Sequence, residues 1–248
     1  MAGPVWHEFP SSQALADALA DAVARQLQNA VDARGTALIA VSGGSTPPPF
    51  FQALSRKKID WPRVTVTLVD ERFVPSSSER SNAALTALHL LQNEAAQAEF
   101  VGLYQSADTV EEAADRADEA IAKLPLPLDV AVLGMGADGH TASFFPDAED
   151  IALKLQVRSR HVLPIYARSA GEPRLTLSMP ILCEARFIAL HIEGAEKRRV
   201  LEAALTQDDG ARLPIRVAVE QAPVSVGIYW APGADASSSA GTAPLKSS

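Results

Sequence analysis

The chain has 248 residues, with 22 basic against 30 acidic side chains and a formal charge of −8, which is length enough for one large domain or two small ones around a buried core. That acidic balance excludes a general nucleic-acid or acidic-membrane surface, so an anionic ligand needs a local cluster of cations. No apolar run approaches the ~20 residues of a bilayer span, the first residues lack the basic-then-apolar layout of a secretion signal, and the one cysteine, Cys183, forbids an intramolecular disulfide and favours a reducing, cytoplasmic address.

Leu15, Leu19, Val23, Leu27 and Val31 recur every four residues between Ser12 and Arg34, and Gly35 follows as a stop; this predicts one amphipathic helix. The β-type run Thr36 to Val41 comes next, then a glycine turn, then Thr46-Pro47 as N-cap and first helical residue. Val64 to Val69 is a second strand, ending in Asp70-Glu71-Arg72, with a helix expected from about Ser81 to Leu91. Thr109 and Glu112 form a capping box opening a helix to Leu124. Asp129 to Leu133 is the third strand and runs into Gly134-Met135-Gly136-Ala137-Asp138-Gly139-His140. Arg186 to Ile192 is the fourth, followed by Glu193 to Lys197 and a helix reaching about Leu205. Val224 to Trp230 is a further strand, and the small, polar stretch 233–248 reads as a disordered tail beyond a single domain over 1–232.

Strands alternating with helices imply an α/β fold: an open, mostly parallel twisted sheet with helices on both faces, Rossmann-like in arrangement. Four polar clusters each follow a strand: Ser42 to Thr46, Asp70 to Arg72, Gly134 to His140 and Glu193 to Lys197. In a parallel sheet such ends share one edge, where ligands of open α/β sheets bind, so the clusters are expected to converge.

Ser42-Gly43-Gly44-Ser45-Thr46 has the makings of a phosphate cradle, with paired glycines, hydroxyls and the amides and positive end of the next helix. It lacks the G-x-x-x-x-G-K-[ST] pattern of a nucleoside-triphosphate loop. Residues 134–139 match G-x-G-x-x-G, but Pro146 limits any following helix and no acidic strand end lies about 20 residues on, so a dinucleotide site fails. The segment instead presents Asp138 and His140 for acid/base work. His7, His89, His161 and His191 read as structural. Asp70, Glu71 and Arg72 suit sugar hydroxyls and an anion; Lys197 in a first helical turn is unfavourable without an anion beside it; Arg174 is a further cation. No H-E-x-x-H, C-x-x-C or G-x-S-x-G occurs, which argues against a metal centre or a serine nucleophile.

Taken together, Val41 to Pro47, Val69 to Arg72, Gly134 to Pro146 and Arg174 to Leu177 resemble the glucosamine-6-phosphate isomerase/6-phosphogluconolactonase family over about Val5 to Trp230. Two positions lean to its lactonase side: Phe145 stands where the deaminases have a glutamate, and Arg72 where they have tyrosine. The resemblance implies hydrolysis of 6-phospho-D-glucono-1,5-lactone, the second step of the oxidative pentose phosphate pathway. It implies His140 as the base, Asp138 or Asp70 as its orienting partner or a hydroxyl ligand, and Ser42, Gly43, Gly44, Ser45, Thr46, Arg72, Arg174 and Lys197 as phosphate ligands. A phosphosugar lactone is then the only expected partner, with no cofactor, metal, nucleic acid or membrane, in a monomer or weak homodimer. The competitors are the deaminase/isomerase and a non-catalytic phosphosugar sensor, although no basic helix-turn-helix segment is present to serve a sensor.

Overall fold

A computed structural model describes residues 3–206 and 213–233. Its strands are β1 (Val5–Glu8), β2 (Ala37–Val41), β3 (Val64–Leu68), β4 (Asp70–Arg72), β5 (Glu99–Val101), β6 (Val130–Leu133), β7 (Val162–Ile165), β8 (Arg174–Leu177), β9 (Phe187–Glu193) and β10 (Gly227–Ala231). Its α-helices are α1 (Ser12–Arg34), α2 (Pro48–Ser55), α3 (Asn82–His89), α4 (Val110–Ile121), α5 (Ile151–Lys154), α6 (Met179–Cys183), α7 (Ala195–Thr206) and α8 (Pro214–Gln221). The tail expected over 233–248 lies outside the described residues, save Gly233.

Seven strands form a sheet in the order β1-β10-β9-β6-β2-β3-β5, and every neighbouring pair is parallel. From β2 the chain moves outward through β3 to β5 and then returns to β6 on the other flank of β2. Between β2 and β6 the strand order therefore reverses, and a crevice opens there at the carboxyl ends. Every residue of β2 and β6 is buried, as both faces of a parallel sheet must be covered.

Local chemistry sets the helix ends. Ser11 caps α1 by accepting from Ala14 N, and Gly35 leaves it in the left-handed region at φ 81. Thr109 accepts from Glu112 N at the start of α4, the first half of the predicted box. At α2 the expectation fails. The residue before the helix is Pro47, it makes no side-chain cap, and Pro48 begins the helix. Pro47, Pro48 and Pro49 have no N–H to offer, so this end keeps its dipole but only one of its four terminal amides, that of Phe50.

A second sheet was not foreseen. β4, β8 and β7 form three antiparallel strands beside the main sheet. Asp70-Glu71-Arg72 is consequently not a loop at the end of β3 but a strand of its own, and Leu177 N bonding Val69 O at 2.9 Å holds the crossing. The edge strands β1 and β5 were likewise missed, and the last strand begins at Gly227 instead of Val224.

Cys183 is buried, and that burial pushes its thiol up to about 12. No helix among the described residues is long and apolar enough to cross a membrane.

Asp129 ties β2 to β6 beyond the ladder. Its Oδ2 accepts from the buried Leu38 N at 2.9 Å, and its Oδ1 meets Arg34 and, at 3.4 Å, Arg186. Replacing Asp129 with Ala strands that amide, so urea denaturation should show a loss of about 2 to 3 kcal/mol; an unchanged midpoint would remove Asp129 from the framework.

Candidate functional site

The crevice at the switch point is a cleft of about 370 Å³. Ser42 to Thr46, Asp70, Arg72, Gly134 to Gly136, His140, Arg174 and Lys197 all line it. Four separated segments thus meet as the strand ends required.

Ser42 fastens the loop after β2 to the loop after β6. Its hydroxyl donates to Val132 O at 2.9 Å and accepts from Gly134 N at 3.0 Å, while Thr141 Oγ1 donates to Gly134 O at 2.8 Å. Among the described residues the amides of Gly43, Gly44, Ser45 and Thr46 donate to no other group of the protein. These loop amides, and not those of α2, are the free donors a phosphate would meet. Gly43 is also required for space: a Cβ there would fall 1.8 Å from the Asn82 side chain.

The dyad is local. His140 Nδ1 lies 2.6 Å from Asp138 Oδ1, which also accepts from His140 N at 3.1 Å. Gly139 in the left-handed region at φ +79 folds the two together, and Gly136 gives them room, since a Cβ there would sit 2.2 Å from the imidazole. With Nδ1 bound to the carboxylate, Nε2 is the nitrogen left for chemistry. Phe145 packs on the ring at a centroid distance of 4.3 Å, and Arg174 lies over the same phenyl at 5.5 Å.

Asp70 does not orient the imidazole. Its carboxylate accepts from Ser143 Oγ at 2.5 Å and from Asn82 Nδ2 at 3.3 Å, and it faces the cleft as a wall. Strand alternation sends Glu71 the other way, into the core, where it accepts from Arg72 N, Asn82 N, Ala83 N and Ser81 Oγ. Burial nonetheless pushes its carboxyl above the ordinary range, against those four bonds. Of the two carboxylates offered to sugar hydroxyls, one is therefore a strut for α3.

The cations are arranged at a cost. Arg72 and Arg174 are directly opposite across β4 and β8, where like charges repel. Each has an Nε that is fully enclosed and without a partner. Burial lowers the pKa of Arg174, with Arg72 adding to the effect and Asp70 opposing it. Lys197, half-buried in the first turn of α7, is likewise lowered by burial, against the pull of Glu193 and Glu196. Three cations drawn out of water around one cleft fit an anionic ligand.

Sequence reasoning missed Asn82, Ser143 and Ser169 as parts of the site, took Phe145 only as a mark of the lactonase side, and read His191 as purely structural although that ring lines the cleft. Ser143 and Phe145 were visible in the glycine-histidine segment itself. Asn82 and Ser169 carry no signal until the chain folds. No group of three or more potential metal-ligating side chains occurs among the described residues.

An open parallel sheet with a cation-lined cleft at its switch point defines a protein built to bind a small anion. Residues 10–227 match the model described as glucosamine-6-phosphate isomerases/6-phosphogluconolactonase, and the chain belongs to that family. It is 56% identical over 228 residues to a 6-phosphogluconolactonase of Mesorhizobium japonicum, covering 92% of this chain and 95% of that one. It is 47% identical to a 6-phosphogluconolactonase of Pseudomonas aeruginosa, covering 86% and 89%. The crystal structure of a 6-phosphogluconolactonase from Shewanella baltica superposes with a TM-score of 0.89 at 42% identity, covering 92% of this chain and 97% of that one.

A lysine is charged below its pKa, so a lowered Lys197 loses its charge earlier as pH rises. Calorimetric titration with inorganic phosphate through the alkaline range, where the ligand's own charge no longer changes, should show affinity falling before an ordinary lysine titrates. Lys197→Arg should move that fall to higher pH; an affinity flat across the range in the wild type would take Lys197 out of the site.

Proposed function

We propose that this chain hydrolyses 6-phospho-D-glucono-1,5-lactone to 6-phospho-D-gluconate. The observation that carries the reading is the convergence of the His140–Asp138 pair, the free loop amides and the three cations on one cleft, in a chain similar over most of its length to proteins named 6-phosphogluconolactonase.

The phosphate is held by the amides of Gly43 to Thr46 together with Lys197, Arg72 and Arg174, and the sugar hydroxyls face Asp70. That fixes the lactone so that C1 lies by His140. Water attacks C1 as His140 Nε2 takes its proton, with Asp138 stabilising the imidazolium through Nδ1. The carbonyl pair moves onto oxygen. A preorganised donor aimed at that oxyanion typically contributes about 3 kcal/mol. Collapse of the adduct breaks the bond from C1 to the ring oxygen, and His140 returns the proton to that oxygen. The acid so formed ionises and releases one proton to solvent.

Phe145 supports hydrolysis over ring-opening deamination. It fills the place against the imidazole with a phenyl ring, which can neither donate nor accept a proton. Neither step of the proposed reaction draws on a cofactor.

Proton release from freshly made lactone, measured over its spontaneous opening, should be strongly accelerated by the wild type, and glucosamine-6-phosphate should yield no ammonia. His140→Ala should cut kcat by about two to four powers of ten with 6-phosphogluconate still bound; near-normal turnover in that folded variant would remove the assignment. Gly136→Ala, whose methyl collides with the dyad, should lose activity on a similar scale while its thermal transition survives; full activity there would mean that the dyad geometry does not matter.

A further inference from the structure

His191 is the polar exception in the interior of β9. Its strand neighbours Ile188, Ala189, Leu190 and Ile192 are buried aliphatic residues, and its own side chain is 4% exposed. The ring stands edge-on to Phe50 at a centroid distance of 6.1 Å and lines the cleft. Its Nε2 is enclosed and makes no hydrogen bond of normal geometry; the carboxylate facing it is Glu193 Oε1, at 3.5 Å. A leucine would fill such a place at less cost, because an imperfectly satisfied buried N–H destabilises the fold.

Glu193 lies two residues on, on the same face of the strand. Both of its oxygens are engaged: Oε2 accepts from Ser12 Oγ at 2.7 Å, and Oε1 faces His191. Contact with His191 chiefly, and with Ser12, holds this carboxyl below the usual range although burial opposes it. Four residues further, across the Gly194 turn and in the first turn of α7, is Lys197, close enough for the Glu193 charge to raise the lysine's pKa against the effect of burial. Yet among the described residues Lys197 Nζ has neither an ion pair nor a hydrogen bond.

We propose that His191, with Ser12, is a positioning residue that keeps Glu193 off Lys197, so that the half-buried ammonium is left for the phosphate of the ligand. This rests on Lys197 being a phosphate ligand, as above. Released from His191, Glu193 would fold onto Lys197 across the Gly194 turn, and an arriving phosphate would first have to break that pair.

The test is a cycle of variants, each measured for kcat and KM on fresh lactone and for affinity toward 6-phosphogluconate and inorganic phosphate. His191→Leu should raise KM and weaken both ligands about five- to tenfold, with kcat little changed. His191→Gln, which keeps an N–H at that position, should stay near the wild type. Removing the competitor as well, in His191→Leu with Glu193→Gln, should restore affinity. Ser12→Ala, part-exposed on α1, gives the same comparison in milder form should His191→Leu fold poorly, and Glu193→Gln should rescue it too. A double variant as weak as its parent, or a fall in kcat at constant KM, would overturn the proposal. Loss of wild-type turnover with phosphate binding intact would overturn the functional reading alone, since the positioning role is read from phosphate affinity.

Discussion

The hydroxyl of Ser42 is the interaction on which the rest of the cleft depends. It sits where the strand order reverses, and by bonding both Val132 O and Gly134 N it clamps the loop after β2 to the loop after β6. Backbone amides are useful to an anion only if they are held open and pointed one way, and this clamp does so for Gly43 to Thr46. The same clamp sets the start of the segment that carries Asp138 and His140, with Thr141 closing it back onto Gly134. The loop of free amides and the imidazole are thus positioned by one short network at the rim of the sheet, not by two independent loops.

Charge is handled in the opposite sense from the molecule as a whole. The chain is acidic, at −8, but its cleft gathers Arg72, Arg174 and Lys197. Two guanidiniums set against each other, with enclosed Nε groups left unpaired, lower stability in the free protein. An anion seated between them, as proposed, would offset that repulsion, so the cost built into the free cleft favours a negatively charged ligand. The negative surface elsewhere limits unspecific binding of larger polyanions.

The parts legible in the sequence were those with a period or a run. α1 is read to its last residue because its apolar stripe holds from Leu15 to Val31 and a left-handed glycine ends it; the central parallel strands show as unbroken apolar runs because both faces are covered. β4, β7 and β8 have three or four residues each, too few for alternation to register, so the antiparallel sheet and the pairing of Arg72 with Arg174 stayed hidden. The helix starts at Pro48 and not beside Thr46 for a simpler reason: three consecutive prolines follow Thr46 and remove three of the four amides a cap would serve. His191 illustrates a different limit. A histidine inside an apolar strand looks like filler until the fold brings Glu193, Ser12 and the cleft around it. Between Asp70 and Asp138 the sequence left the orienting partner open, and only geometry separates the carboxylate on the imidazole from the one on Ser143.

In the proposed reaction one cleft holds the phosphate at the Gly43 to Thr46 loop and C1 at His140. A crystal structure of the complex with 6-phosphogluconate measures this most directly. The expected result has the phosphate oxygens on those four amides and the C1 carboxylate within hydrogen-bond reach of His140 Nε2. A sugar bound with C1 turned away from His140, or seated outside the cleft, would contradict it.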